Sequence, residues 1–170
     1  MKPLQSFACV AVLLIGASAT SPAAETSVQS VPDRELQSML GEYAEAASLF
    51  YNGKPEAVKA LWSHSDDVTL SGAAGGDTAR GWDNVSSRLD WASSQFLGSG
   101  GSKTIEQIQT AVNGSFAYIV QYEHIRYQRP GHPDISKRDY RVTTIFRREP
   151  QGWRVVHRHA DTLMTRQDIK

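Results

Sequence analysis

Two histidines and an aspartate alternate near the C-terminal end of the sequence, in the segment GWRVVHRHAD. His157, His159 and Asp161 stand at every second position, following Trp153 and Val155. In a β-strand, alternate side chains share one face, so the segment predicts two imidazoles and a carboxylate on the same side of a sheet. Such groups can position a polar ligand or exchange a proton near neutral pH.

The same three residues have two other interpretations. The imidazoles can hydrogen-bond to neighbouring strands and simply close the sheet. They can also bind zinc with Asp161 as the third ligand, but no cysteine of the mature chain and no further His-rich motif supports such a site. We therefore predict no metal site and no cofactor. The catalytic residues stay unassigned, with His159 and Asp161 as the candidates for a base.

The composition favours one domain and argues against nucleic-acid binding. The chain has 170 residues, enough for a single hydrophobic core and too few to favour two. Its 18 lysines and arginines balance 18 aspartates and glutamates, so no overall field attracts the protein to nucleic acid or to an anionic membrane.

The N-terminal residues are typical of a secretory signal peptide. Lys2 precedes the apolar run FACVAVLLIG, and the small residues ASATSPAA follow it. The run is about half the length that a membrane span requires, so we predict no stable membrane insertion. Residues 1–24 are assigned to the signal peptide and 25–32 to a flexible leader. The mature protein is then periplasmic or secreted, and it lacks Cys9, the one cysteine of the chain.

Helical patterns come first and strand patterns follow. Apolar residues recur at three- and four-residue steps after Asp33, which can cap the first helix, and Gly53 ends that helix. Asn113-Gly114 is typical of a tight hairpin between two long strands. Runs of helix followed by runs of strand predict an α+β fold with the helices on one face of the sheet. The further predicted elements are a second helix after Pro55, a short strand at 68–72, a third helix capped by Asp83, and long strands at 104–112, 116–128, 137–148 and from 152 onwards.

Three segments carry a resemblance to a known superfamily. They are Ala60-Leu61-Trp62-Ser63 leading into Asp67-Val68-Thr69-Leu70, then Gly81-Trp82-Asp83, and the ending FRRE followed by GWRVVHRH. The chain resembles the nuclear transport factor 2-like superfamily over residues 33–165, and its ending is similar to that of SnoaL-like domains and of calcium/calmodulin-dependent kinase II association domains. The resemblance implies a cone-shaped, cystatin-like fold, in which three N-terminal helices pack on a strongly curved antiparallel sheet. It also implies a cavity at the wide end and a homodimer formed through the outer face of the sheet.

The resemblance does not imply one chemistry, because this fold hosts isomerases, cyclases, dehydratases and binding modules. Tyr43 matches the helix-one tyrosine of ketosteroid isomerase. That family places its general base just after the first strand, where this chain has Leu70-Ser71-Gly72-Ala73-Ala74 and no acid. Steroid isomerisation is therefore disfavoured.

The resulting expectation is an exported homodimer whose cavity binds a small, partly apolar molecule. We predict that Tyr43, Trp62, Trp82, His157 and His159 line this cavity, although both tryptophans could instead belong to the core. An isomerase or lyase of the ketosteroid isomerase or polyketide cyclase kind, with His159 or Asp161 as base, is one alternative. A non-catalytic oligomerisation module is another.

The remaining charged residues of the strands are given structural roles. Glu123 is expected to pair with Arg141 on the neighbouring strand. Four arginines alternate on the last two strands and are expected on a solvated face or at the rim of a dimer interface. They are Arg147, Arg148, Arg154 and Arg158.

Overall fold

The computed structural model describes residues 33–162 and 165–166, with the backbone alone described for 97–102. The predicted signal peptide and leader lie outside this range and stay predictions. None of the helices in the described range is both long and apolar enough to span a bilayer.

Three helices precede most of the sheet, as predicted. They are α1 (Arg34–Phe50), α2 (Glu56–Ala60) and α3 (Trp82–Ser94). Asp33 caps α1 by accepting a hydrogen bond from the amide of Leu36, which satisfies one of the free N–H groups of the first turn. The predicted cap of α3 is wrong by two residues. Gly81 occupies that position with a φ of 77°, and Asp83 lies inside the first turn of the helix.

Six strands form one curved sheet in the order β2-β1-β6-β5-β4-β3. Adjacent strands are antiparallel except β1 and β6, which are parallel. The predicted hairpin at Asn113-Gly114 joins β3 to β4, and Gly114 has the positive φ that such a tight turn requires. The strands are β1 (Thr69–Ser71), β2 (Ala79–Arg80), β3 (Leu97–Asn113), β4 (Phe116–Gln128), β5 (Ile135–Glu149) and β6 (Gly152–Asp161).

Two differences from the predicted strands concern β2 and β3. The two-residue β2 is too short to leave a periodic pattern in the sequence. The backbone of β3 begins at Leu97, although its first residues form a glycine- and serine-rich stretch that was expected to be a loop. A register shift between Leu97 and Ser102 marks where this glycine-rich part departs from regular pairing with β4.

The hydrophobic core lies between the helices and the inner face of the sheet. Leu36, Met39 and Tyr43 extend from α1 onto this face, and Phe146 and Trp153 meet them from β5 and β6. A second, smaller cluster joins the end of α1 to Phe96 and Tyr127. The cavity described below lies beside this second cluster.

A β-bulge at Val156 changes the orientation of β6. Phe146 pairs with Val155 and the adjacent Ile145 pairs with His157, so Val156 is an extra residue without a partner in the register. Before the bulge, Trp153 and Val155 are buried on the inner face.

After the bulge the alternation is reversed. Arg158 and Ala160 now point inward, whereas His157 and His159 point toward the outer face. The strict alternation that placed both imidazoles inside is therefore wrong beyond Val155, because one inserted residue moves every later side chain to the other face.

Candidate functional site

A cavity of about 460 Å³ opens between α1, α3 and the inner face of the sheet. This volume lies within the usual range for small-molecule sites. Its most buried polar residues, which we call the floor, are Tyr43, Tyr51, Glu123 and Arg158. Its solvent-exposed residues, together with the half-buried Arg88, form what we call the mouth, and they include Trp91, Arg129, His132 and Arg138.

A buried ion pair forms the centre of the floor. Arg158 Nη2 donates to Glu123 Oε2 at 3.0 Å, and the side chains of these residues are only 14% and 2% exposed. The hydroxyl of Tyr51 donates to the same carboxylate oxygen at 3.0 Å, and Gln121 Nε2 donates to Oε1 at 2.7 Å. The carboxylate therefore has three donors, which compensate for the water it has lost.

Charge and hydrogen bonding keep this pair ionised. Burial by itself would raise the pKa of the Glu123 carboxyl, but the positive charges of Arg158 and Lys103 and the hydrogen-bond donors around the carboxylate outweigh burial and hold the pKa below its ordinary value. Glu123 in turn contributes to raising the pKa of Arg158. A carboxylate stabilised in this way is a weak base.

The two floor tyrosines stay protonated over the physiological range. Burial raises the pKa of Tyr43, and burial together with the charge of Glu123 raises the pKa of Tyr51 well above its ordinary value. The hydroxyl of Tyr51 is occupied by Glu123, whereas Tyr43 interacts with Arg158. The floor therefore offers the neutral hydroxyl of Tyr43 and the guanidinium of Arg158 to an oxygen-bearing ligand.

The walls of the cavity are aromatic and packed edge to face. The ring of Phe96 lies 4.8 Å from that of Tyr51 and 4.7 Å from that of Tyr127, centroid to centroid. Phe50 packs against both Phe96 and Tyr51. Interlocked rings have few alternative rotamers, so this wall presents a preformed apolar surface.

Of the residues predicted to line the cavity, Tyr43 does so. Trp62 is only 1% exposed and belongs to the core, where its backbone forms a bridge with Val155. Trp82 stacks on His64, with ring centroids 3.8 Å apart. Neither tryptophan is among the cavity-lining residues.

His157, His159 and Asp161 do not line the cavity. His157 Nδ1 is 2.7 Å from the hydroxyl oxygen of Thr69 on β1, and burial, followed by the charge of His159, lowers its pKa. His159 is exposed. Asp161 accepts from Arg141 Nε at 3.1 Å. A ligand-binding role for the two imidazoles stays a prediction, but it would require a site on the outer face.

No group of three or more metal-ligating side chains occurs in the part of the chain that the structure describes.

The sequence interpretation missed Glu123 and Arg158 as partners. Glu123 pairs with Arg158 instead of Arg141, because the bulge at Val156 turns Arg158 inward and Arg141 faces Asp161 across the outer side. The expectation that Arg158 lies on a solvated face is therefore wrong. A usable signal was present in β4, where Glu123 occupies the same alternating phase as the apolar Ile119 and Ile125.

The other three arginines of that set lie nearer to solvent, as expected. Arg147 donates to Asp67 at 2.6 Å and to Glu149 at 2.9 Å, and it is partly buried in this network. Arg148 is exposed and pairs with Asp33 and Glu35 at the start of α1. Arg154 is half-buried.

Comparison with solved structures identifies the fold. A ketosteroid isomerase-like protein from Erwinia carotovora atroseptica superposes with a TM-score of 0.63 and 15% identity, covering 78% of this chain and 99% of that chain. A protein of Streptomyces avermitilis, provisionally named a dehydratase of the NTF2-like family, gives 0.64 and 19%, covering 78% and 96%. A provisionally named calcium/calmodulin-dependent kinase II association domain from Thiobacillus denitrificans gives 0.60 and 16%, covering 75% and 94%.

These likenesses establish the architecture, and the resemblance inferred from the sequence is confirmed. At such low identities they do not transfer an activity. No protein of curated function matches the chain significantly. The model of the SnoaL-like domain matches residues 37–164, which include all six strands, α2, α3 and all of α1 except its first three residues. The chain therefore belongs to the SnoaL-like domain family.

Proposed function

We propose that this protein binds a small, partly apolar molecule in the cavity between α1, α3 and the sheet. The observation that supports this proposal is the combination of about 460 Å³ of space, an aromatic wall and polar groups that converge on a buried floor. Apolar walls contribute affinity, and a few fixed polar groups determine orientation. Tyr43 and Arg158 are the floor residues best placed to bind an oxygen of the ligand.

The same geometry favours binding over proton transfer. Glu123 is the one carboxylate among the described residues that line the cavity, and three donors together with a depressed pKa make it a poor base. The two predicted candidates for a base, His159 and Asp161, are directed to the outer side of β6. We therefore assign a ligand and no reaction to this cavity.

Filling the cavity should weaken binding. Ala92 lies on α3, is half-buried and lines the cavity, so Ala92→Trp places an indole where the ligand would enter. We expect the uncharged fluorescent probe phenylnaphthylamine to bind the wild-type protein and to lose at least about tenfold in affinity in this variant, because the apolar space is occupied. Fluorescence titration measures both affinities.

The matched control is Ala44→Trp. Ala44 is also a half-buried helical alanine, but it lies on α1 and does not line the cavity. This variant should bind the probe as the wild type does, and thermal unfolding should show that both variants are folded. A wild-type protein that fails to bind the probe, or an Ala92→Trp variant that binds it equally well, would refute the proposal.

We also propose that the protein is exported and acts as a homodimer. The N-terminal sequence supports export, and exposed aromatic residues on the outer face of the sheet support self-association. Phe116 and Tyr118 share that face of β4 and are 49% and 41% exposed.

Introducing a charge on this face should dissociate the dimer. Tyr118→Lys would place a charge in the proposed interface, and burying an unpaired charge is costly. We expect light scattering after size exclusion to give the mass of a monomer for this variant and of a dimer for the wild type. Leu49→Lys, a substitution of a similarly exposed apolar residue on α1, should remain dimeric. A monomeric wild-type protein would refute the proposed dimer.

A further inference from the structure

The charges that line the cavity are strongly unequal. Four arginines line it, whereas Glu123 is the one acidic residue among the described lining residues. The whole chain has a formal net charge of zero, so this excess of positive charge is local to the cavity. A cleft lined by charges of one sign and bounded by apolar walls concentrates ions of the opposite sign.

The excess charge lies at the mouth. Glu123 neutralises Arg158 on the floor, which leaves Arg88, Arg129 and Arg138. In the described part of the chain, none of these three forms an ion pair with a carboxylate. Arg88 is bound only to the carbonyl oxygens of Gly75 and Asp77, at 3.4 and 3.2 Å.

Arg138 and Arg129 are the mouth residues most open to a ligand. Arg138 Nε makes one long contact of 3.5 Å to the hydroxyl of Tyr127, which itself belongs to the aromatic wall. Arg129 follows the end of β4, on the loop that leads to β5, and is exposed. Both guanidiniums therefore keep N–H donors that can reach an anion, and a guanidinium binds a carboxylate or sulfonate through two parallel hydrogen bonds.

We infer that the ligand is an organic monoanion with an apolar ring body, oriented with its anionic group at the arginines of the mouth and its body against the aromatic wall. This inference rests on the proposed function and specifies the ligand class of the same cavity. The orientation follows from the charges, since Arg158 on the floor is paired with Glu123, whereas the lining arginines that form no ion pair in the described part of the chain lie where the cavity meets solvent. The apolar body follows from the packed rings of Phe50, Phe96 and Tyr127.

Two probes that differ by one charge test the inference. Anilinonaphthalene sulfonate has the same aromatic body as phenylnaphthylamine and adds one sulfonate. We expect the wild-type protein to bind the sulfonate probe at least about tenfold more tightly than the uncharged probe. Added salt should weaken the binding of the sulfonate probe alone, because exposed charges are screened. The double variant Arg129→Gln/Arg138→Gln should lose that tenfold preference, because its affinity for the sulfonate falls much more than its affinity for the uncharged probe.

The control removes two positive charges elsewhere. Arg34→Gln/Arg80→Gln changes two exposed arginines that do not line the cavity, so it alters the net charge equally and should keep the preference for the sulfonate. Equal binding of both probes by the wild type, or an unchanged preference in the Arg129/Arg138 variant, would refute the anion inference and leave the proposed function intact. Binding of neither probe would instead refute the proposed function.

Discussion

Replacing Arg158 by methionine is expected to lower the free energy of unfolding by about 3–5 kcal/mol, because Glu123 would be left as a buried charge without its counterion. Methionine retains the length and the apolar stem of arginine, so the loss of the guanidinium is the main change. Tyr51 and Gln121 would still donate to the carboxylate, but both are neutral. Urea unfolding at neutral pH measures the effect.

A double-mutant cycle separates the pair from the packing around it. Glu123→Gln alone should cost less, about 1–2 kcal/mol, because Arg158 faces the cavity and can be reached by water. In Glu123→Gln/Arg158→Met both members of the ion pair are removed, so most of the loss caused by Arg158→Met should be recovered. A double variant as unstable as the sum of the two single variants would show that the two side chains do not interact.

The effect of Arg158→Met should also depend on pH, and its direction identifies Glu123 as the cause. In the wild type the pKa of Glu123 lies below its ordinary value of 4.5, so its contribution to stability is present above that pH and is lost as the pH falls through the folded pKa. In the Arg158→Met variant, burial dominates and raises the pKa of Glu123 in the folded state. Protonation of this carboxyl then removes the cost of burying its charge. The difference in stability between wild type and variant should therefore shrink as the pH falls from neutral to about 4.

Trp62 and Trp91 should show opposite effects when each is replaced by alanine. Trp62 is fully buried in the core, so Trp62→Ala is expected to lower the free energy of unfolding by about 3–5 kcal/mol. Trp91 is 49% exposed at the mouth, so Trp91→Ala should change stability by no more than about 0.5 kcal/mol. The Trp91→Ala variant loses an aromatic contact with the probe, so it should bind the uncharged probe about three- to tenfold more weakly.

Chemical unfolding and probe titration distinguish the two residues. For Trp62→Ala, probe affinity measured where the variant is fully folded should stay within about threefold of wild type, since the residue does not line the cavity. A large loss of affinity with little loss of stability would instead support the sequence-based prediction that Trp62 contacts the ligand.

The order of elements could be predicted because local patterns determine it. The apolar stripe of α1, its cap at Asp33 and the hairpin at Asn113-Gly114 are local features, and the structure confirms them. The beginning of β3 could not be predicted in the same way. Glycine and serine at 98–102 have low strand propensity, and the strand nevertheless continues through them between the pairs Leu97–Gln128 and Ser102–Arg126.

The site was predicted less well, because it depends on register. Tyr43 was placed correctly, since its side of α1 is defined by a helical period that continues without interruption. His157 and His159 were assigned to the inner face by a period of two that Val156 interrupts. A bulge depends on how β6 pairs with β5 in the folded sheet, and nothing in the residues around Val156 indicates it.

The extra residue at Val156 determines which side chains of β6 face the cavity. A register shift of one residue, in which Val156 pairs with Ile145, would present the His157 and His159 imidazoles to the interior and turn Arg158 outward, without altering any residue of the strand. Two chemically distinct linings, one cationic and one titratable near neutrality, are thus encoded in the same ten residues and differ by one step of register. Relatives of this domain whose final strand has the same length but pairs without a bulge would therefore turn the opposite set of positions toward the cavity.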